Sequence, residues 1–195
     1  MTEQLVLNFD SAGASEESPS GVLIRCAFFA AHKHSNQRRK NVDSTPYINH
    51  PLGVAFILTN EAGVTDLNVL QAAILHDTVE DTDTTFEEVE SHFGAKVRSI
   101  VAEVTDDKTL AKQERKEAQV RNAPKKSYEA KLVKLADKLY NLRDLSSPNG
   151  RPQDWDDERV REYYRWARRV VEGLKGTHQG LEDKIFKLCD KGEKI

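Results

Sequence analysis

From Val22 onward, apolar residues recur at the three-to-four-residue spacing of helices, and no strand-like alternation survives anywhere. Leu23, Ala27, Ala30 and Ala31 place a first helix ahead of a basic cluster at 33–40, and the turn-rich stretch 41–46 makes the first substantial loop. Two short apolar helices, 52–58 and 67–75, are separated by 60–66 and should pack as an antiparallel pair. Thr85 with Glu88 has the form of a capping box, opening a helix over Phe86, Val89 and Phe93 that Gly94 can close; another helix follows to about Val104. Segment 108–122 has few apolar positions and reads as an exposed helix or a mobile segment, ended by Pro124. Leu132, Leu135, Leu139 and Leu142 stripe a strongly amphipathic helix over 131–145. A loop at 146–154 with Pro148, Gly150 and Pro152 precedes a last long helix through Leu174 and a weaker terminal one to Lys191. The pattern predicts an all-α fold, a single compact domain of roughly eight to ten helices.

Composition narrows the function without naming it. At 195 residues the chain suits one medium domain that buries a continuous core without disulfides or a structural metal. Residues 1–20, rich in small and polar types from position 8, are expected to be a flexible tail, and 21–191 the domain. Charged residues make up 31% with a net charge of −3, a balance that argues against a dedicated nucleic-acid grip or an anionic-membrane binder. Cys26 and Cys189 lie far apart with no CxxC or Cys/His spacing, so neither a zinc knuckle nor a disulfide framework is expected. No run approaches about 18 consecutive apolar residues, and the N-terminus lacks the order of a secretion signal. The expectation is a soluble, cytoplasmic protein with no membrane partner.

The segment Leu75-His76-Asp77-Thr78-Val79-Glu80-Asp81 carries the chemistry. If helical, it pairs His76 with Glu80 and Asp77 with Asp81 at i,i+4, putting an imidazole and three carboxylates on adjoining faces. Carboxylates this close repel, and if buried they protonate unless a cation sits among them. His50, just ahead of Pro51, falls near a helix N-terminal boundary; alone, a His beside a Pro is ordinarily structural. Asp137 lies inside the apolar helix, where pairing with Lys134 or Lys138 on the surface is an equal alternative. Together, His50, His76, Asp77 and Asp137 make a nitrogen/oxygen set suited to Mn, Fe, Co or Zn. Four such ligands on a six-coordinate ion leave two positions, enough for a water and a phosphate oxygen.

The order His…His-Asp…Asp resembles the HD superfamily of metal-dependent phosphohydrolases. The strings AAHKHSNQRRK, TPYINHPLGVAFIL, AAILHDTVEDTDTTFEEVESHFGAKV, VTDDK and KLVKLADKLYNLRDL further resemble the hydrolase domain of the RelA/SpoT family, above all its small stand-alone animal branch. The resemblance spans about Ala30 to Leu145, more weakly through 155–174, and is too short for the synthetase domain of bifunctional members. It implies an HD-type helical domain, and one Mn²⁺ held by His50, His76, Asp77 and Asp137. It implies that Glu80 and Asp81 act on the attacking water, that Arg39 and Lys40 contact base and phosphates, and that Asn141 contacts the ribose. Tyr47 is expected to line the same pocket, and Lys112, Arg159 and Tyr163 to grip distal phosphate or sugar. The implied activity is hydrolysis of the small nucleotide (p)ppGpp to GDP or GTP and pyrophosphate. Loop 41–45 is longer than in the bacterial pattern. Removal of a ribose phosphate, such as the 2′-phosphate of NADPH, is the alternative reaction, and a silent nucleotide-binding module the alternative class.

Overall fold

Residues 18–195 are described by the structure, a computed structural model. The expected tail therefore lies outside the described residues up to position 17. Ser18 accepts a hydrogen bond from the Gly21 amide at 3.2 Å and caps α1 (Pro19–Lys33), so the first helix begins two residues before the domain start read from the sequence.

Each later helix starts or stops where local chemistry satisfies its end groups. α2 (Asn49–Ala62) is closed by Gly63 at φ +64, a left-handed turn that lets the Val64 amide reach the Leu58 carbonyl at 2.9 Å. Asp66 caps α3 (Leu67–Leu75) by accepting from Asn68 and Val69, and every residue from Val69 to Leu75 is buried. α4 (Thr78–Asp81) is a single turn. Thr85 caps α5 (Phe86–Phe93) through the Glu88 amide at 3.2 Å, but the Glu88 carboxylate pairs with Lys33, so only half of the expected box forms. α6 (Ala95–Val104) follows Gly94 directly. The charged segment resolves into α7 (Lys112–Asn122), which buries no residue, followed by a 3₁₀ turn over Ala123–Lys125. α8 (Tyr128–Ser146), α9 (Asp157–Glu172) and α10 (Gln179–Gly192) complete the chain.

α8 is the axis of the molecule. Leu132, Leu135, Leu139 and Leu142 are buried, as the stripe predicts, with Ala130, Val133 and Ala136 filling the gaps between them. α2, α3, α6, α9 and α10 pack around it, and α2 packs on α3. Each large side chain so buried contributes up to about 1.5–3 kcal/mol, so this helix is held by its neighbours rather than by its own propensity. The described residues form no strand. One isolated antiparallel bridge, Arg38 with Pro46, closes the basic loop, supported by the Arg39 amide on the Thr45 carbonyl at 2.8 Å. None of the described helices is long and apolar enough to cross a membrane.

Candidate active site

The His-Asp doublet does not sit on a continuous helix. α3 ends at Leu75, His76 follows as its C-cap, and Asp77 adopts φ −102, ψ −3 before α4 begins. The i,i+4 arrangement therefore survives in part: the helix is interrupted at the doublet, but the Asp81 amide still bonds the Asp77 carbonyl at 2.9 Å. Thr78 donates its hydroxyl to the Leu75 carbonyl at 2.7 Å, satisfying one acceptor freed by the break. Asp77 stands at the N-cap position of α4, yet its side chain makes no cap bond and turns toward the two imidazoles instead.

The break lets side chains from three separate helices converge. His50 comes from the first turn of α2, His76 and Asp77 from the end of α3, and Asp137 from the middle of α8. Asp77 Oδ2 lies 3.4 Å from His50 Nε2 and 3.1 Å from His76 Nε2, and Asp137 Oδ1 lies 3.3 Å and 3.9 Å from the same nitrogens. Donor atoms of His50, His76 and Asp137 fall within 4.8 Å of one another, and all three residues are buried.

The donor set fits a divalent cation. His76 Nδ1–H donates to the Ala73 carbonyl at 2.7 Å, which leaves Nε2 of the neutral ring as a lone pair. That buried nitrogen finds no hydrogen bond among the described residues, although carboxylate oxygens crowd it. A lone pair facing two carboxylates is repulsive until a cation stands between them. The same crowding acts on the ring's own titration: burial disfavours the charged form, but Asp77 and Asp137 outweigh it and push His76 up to about 9. Burial would raise both aspartates; His76 and His50 hold Asp77 well below the usual carboxylate range, and Lys138, 3.1 Å from its Oδ2, does the same for Asp137 with the two histidines. Asp137 thus pairs with Lys138, but both are buried, so it is not the surface carboxylate of the alternative reading and it enters the cluster.

Glu80 and Asp81 lie one turn on, and each is tied to a different loop. Glu80 accepts from the Asp106 amide at 3.0 Å, and its burial, together with the charges of Asp106 and Asp77, raises its carboxyl above the usual range. Asp81 binds Lys108 at 2.5 Å and receives the Tyr47 hydroxyl at 3.3 Å, while its carbonyl accepts from the Gln37 amide group. Tyr47 donates more strongly to Asp77, at 2.7 Å. The His34 ring packs against the Tyr47 ring, 4.9 Å between centroids, and hydrogen-bonds Gln37 at 2.7 Å.

Beside this cluster opens a cavity of about 390 Å³. Arg39, Lys40, Tyr47, Asp81, Asn141 and Tyr163 line it, bringing six of the sequence-derived candidates to one place. Arg39 and Lys40 reach it from the bridged loop, because α1 stops at Lys33. Loop 41–45 packs on the 146–154 loop, where the Val42 amide meets the Asn149 carbonyl at 2.9 Å, and Asn41, Gly150 and Pro152 add to the cavity lining. Lys112 and Arg159 do not line the cavity; Arg159 pairs with Asp154 and lies over the Trp155 ring. Residues absent from the sequence-derived set are Asp144, which lines the cavity and binds Arg39 at 2.8 Å, Lys108, and Tyr140, whose ring packs on His50. Asp144 was accessible in principle, standing seven residues after Asp137 on one face of α8. Lys108 closes the string VTDDK that carries part of the resemblance, but nothing in that string says that its ammonium meets Asp81.

An all-helical domain with a buried His/His/Asp cluster around a His-Asp doublet is that of an HD-domain protein, and residues 26–170 match the family model described as HD domain. The chain is 62% identical over 174 residues to the guanosine-3′,5′-bis(diphosphate) 3′-pyrophosphohydrolase MESH1 of Mus musculus, covering 89% of this chain and 96% of the relative. It is 53% identical to the Drosophila melanogaster protein of the same name, covering 87% and 95%. A solved structure described as a metazoan orthologue of SpoT that hydrolyses ppGpp superposes with a TM-score of 0.85 at 50% identity, covering 91% of this chain and 98% of that one. The chain belongs to this SpoT-like family of HD-domain (p)ppGpp hydrolases.

Proposed function

We propose that the chain hydrolyses guanosine-3′,5′-bis(diphosphate) at its 3′ position, releasing pyrophosphate and GDP, or GTP from the pentaphosphate, as an enzyme of the cytoplasm with the catalytic domain in 21–191. The observation that carries this reading is the joining of the His50/His76/Asp77/Asp137 cluster to a cavity lined by Arg39, Lys40 and aromatic rings. The cavity offers cations for phosphate, planar faces for a base and Asn141 for a ribose hydroxyl.

His50, His76, Asp77 and Asp137 would hold one divalent ion, which we assign as Mn²⁺, and this ion supplies Lewis-acid polarisation of the phosphoryl group and acidifies the attacking water. Glu80 is the group best suited to take the water's proton, because its raised carboxyl is closer to neutrality than an ordinary glutamate. Asp81, clamped by Lys108 and Tyr47, orients the water. As the new P–O bond forms, the bond from the same phosphorus to the ribose 3′ oxygen breaks, and that oxygen leaves with the electron pair and takes up a proton. Arg39, Lys40 and Tyr163 hold the nucleotide so that this oxygen departs in line with the attack. Lys112 and Arg159, outside the cavity lining, are assigned to the distal phosphate only.

The test is product analysis of the purified protein with ppGpp and with NADPH side by side, with Mn²⁺ and after chelation. Metal-dependent pyrophosphate release from ppGpp supports the proposal. Orthophosphate release from NADPH with an inert ppGpp would replace it with the ribose-phosphatase reading, and no turnover of either would leave a binding module.

A further inference from the structure

Arg39 is held in a way that substrate contact alone does not explain. Its Nη2 group donates to Asn141 Oδ1 at 2.7 Å and to Asp144 Oδ2 at 2.8 Å, which uses both of that nitrogen's hydrogens. Asn141 in turn donates from Nδ2 to Asp137 Oδ1 at 2.6 Å. The Tyr47 and Tyr140 rings flank the guanidinium, each centroid 5.8 Å from its central carbon. Nη1 and Nε have no protein partner among the described residues, and Arg39 lines the cavity.

We propose that Asp144 is a positioning residue for nucleotide binding, acting through Arg39; the inference rests on the proposed hydrolase reading. An unrestrained arginine loses rotamer freedom whenever it grips a ligand, and a carboxylate that fixes it beforehand removes that cost from the binding step. Asp144 also neutralises the guanidinium. Arg39 therefore works less as a diffuse attractor of phosphate than as a fixed plane with three directed N–H donors. Asp137, Asn141 and Asp144 occupy one face of α8 at i, i+4 and i+7, so the chain Asp144–Arg39–Asn141–Asp137 ties the nucleotide cavity to the candidate metal cluster along a single helix.

A mutant cycle tests this, because a residue acting through Arg39 has nothing left to position once Arg39 is gone. Asp144→Ala, Asp144→Asn, Arg39→Ala and the double Arg39→Ala/Asp144→Ala protein would be assayed for KM and kcat on ppGpp with Mn²⁺, and for GDP affinity by calorimetry. Asp144→Ala should raise KM about tenfold with kcat within about threefold, and Asp144→Asn, which keeps an acceptor, should fall between it and wild type. In the Arg39→Ala background, Asp144→Ala should change neither KM nor GDP affinity by more than about twofold. Independent, multiplying effects would overturn the inference by showing that Asp144 touches the nucleotide itself, and an unchanged KM in both single Asp144 variants would overturn it outright. If wild type does not turn over ppGpp, the reaction assignment fails while the GDP affinities still read the coupling; loss of both turnover and GDP binding in wild type removes both.

Discussion

The Tyr47 hydroxyl donates to Asp77 Oδ2 at 2.7 Å, and the same oxygen lies 3.1 Å from His76 Nε2 and 3.4 Å from His50 Nε2. A phenol from the loop ahead of α2 thus fixes a carboxylate at the end of α3. Burial and the neighbouring aspartates push the Tyr47 hydroxyl far above its usual range, so it remains a donor throughout the working pH range. Tyr47→Phe should weaken Mn²⁺ affinity or turnover by about 10- to 100-fold, the usual cost of losing a partner that orients a ligand. Metal titration followed by assay checks this, and wild-type values for both would remove Tyr47 from the site.

Asp77→Ala should abolish metal binding and turnover together while leaving the helical signal intact, since Asp77 makes no cap bond that the fold depends on. Metal content by mass spectrometry, circular dichroism and ppGpp hydrolysis on one preparation decide it. Full activity without bound metal would refute the cluster as the reaction centre.

Glu80→Gln/Asp81→Asn should keep most of the metal and lose about 10²- to 10⁴-fold in kcat, because proton transfer and water orientation are removed without touching the four clustered residues. Loss of metal in proportion to loss of rate would instead make these carboxylates ligands.

Stability should carry a separate pH signature at Glu61. Its carboxylate joins α2 to α8 and α10, accepting from Arg143 Nη1 and from Nη2 at 2.9 Å and from Lys184 at 2.6 Å, and Arg143 chiefly pulls it down to about 2. The unfolded carboxyl titrates near 4.3, so the folded value is depressed and the contribution is complete above about pH 4.3 and lost as pH falls through 2. Glu61→Gln should cost about 0.5–1 kcal/mol near neutrality, as for a partly exposed ion-pair network. Urea melts at pH 7 and pH 3 check it; an equal difference at both would mean that packing, not charge, holds the junction.

Much of the helical order was legible because helix periodicity and capping are local. The Leu132/Leu135/Leu139/Leu142 stripe, the closing Gly94 turn and the buried run of α3 all follow from neighbouring residues. A rod continuous through His76 and Asp77 is realised only from Asp77 on: the helix is interrupted at the doublet, where Asp77 turns to the imidazoles and Thr78 satisfies a freed carbonyl. The inward course of Arg39 was not legible in the basic cluster, because it depends on the Arg38–Pro46 bridge and on Asn141 and Asp144 of a distant helix.

The sequence by itself determined an all-helical chain and a chemically improbable concentration of carboxylates and imidazoles that asks for a cation. Tertiary structure decided which of them meet. His50, His76 and Asp137 come from separate helices, so their approach depends on how α2, α3 and α8 pack, as do Tyr47 on Asp77, Lys108 on Asp81 and Asp144 on Arg39. Spacing along a chain specifies the face of one helix. The distance between faces of different helices is set by the side-chain volumes packed between them, a property of the whole core rather than of any segment.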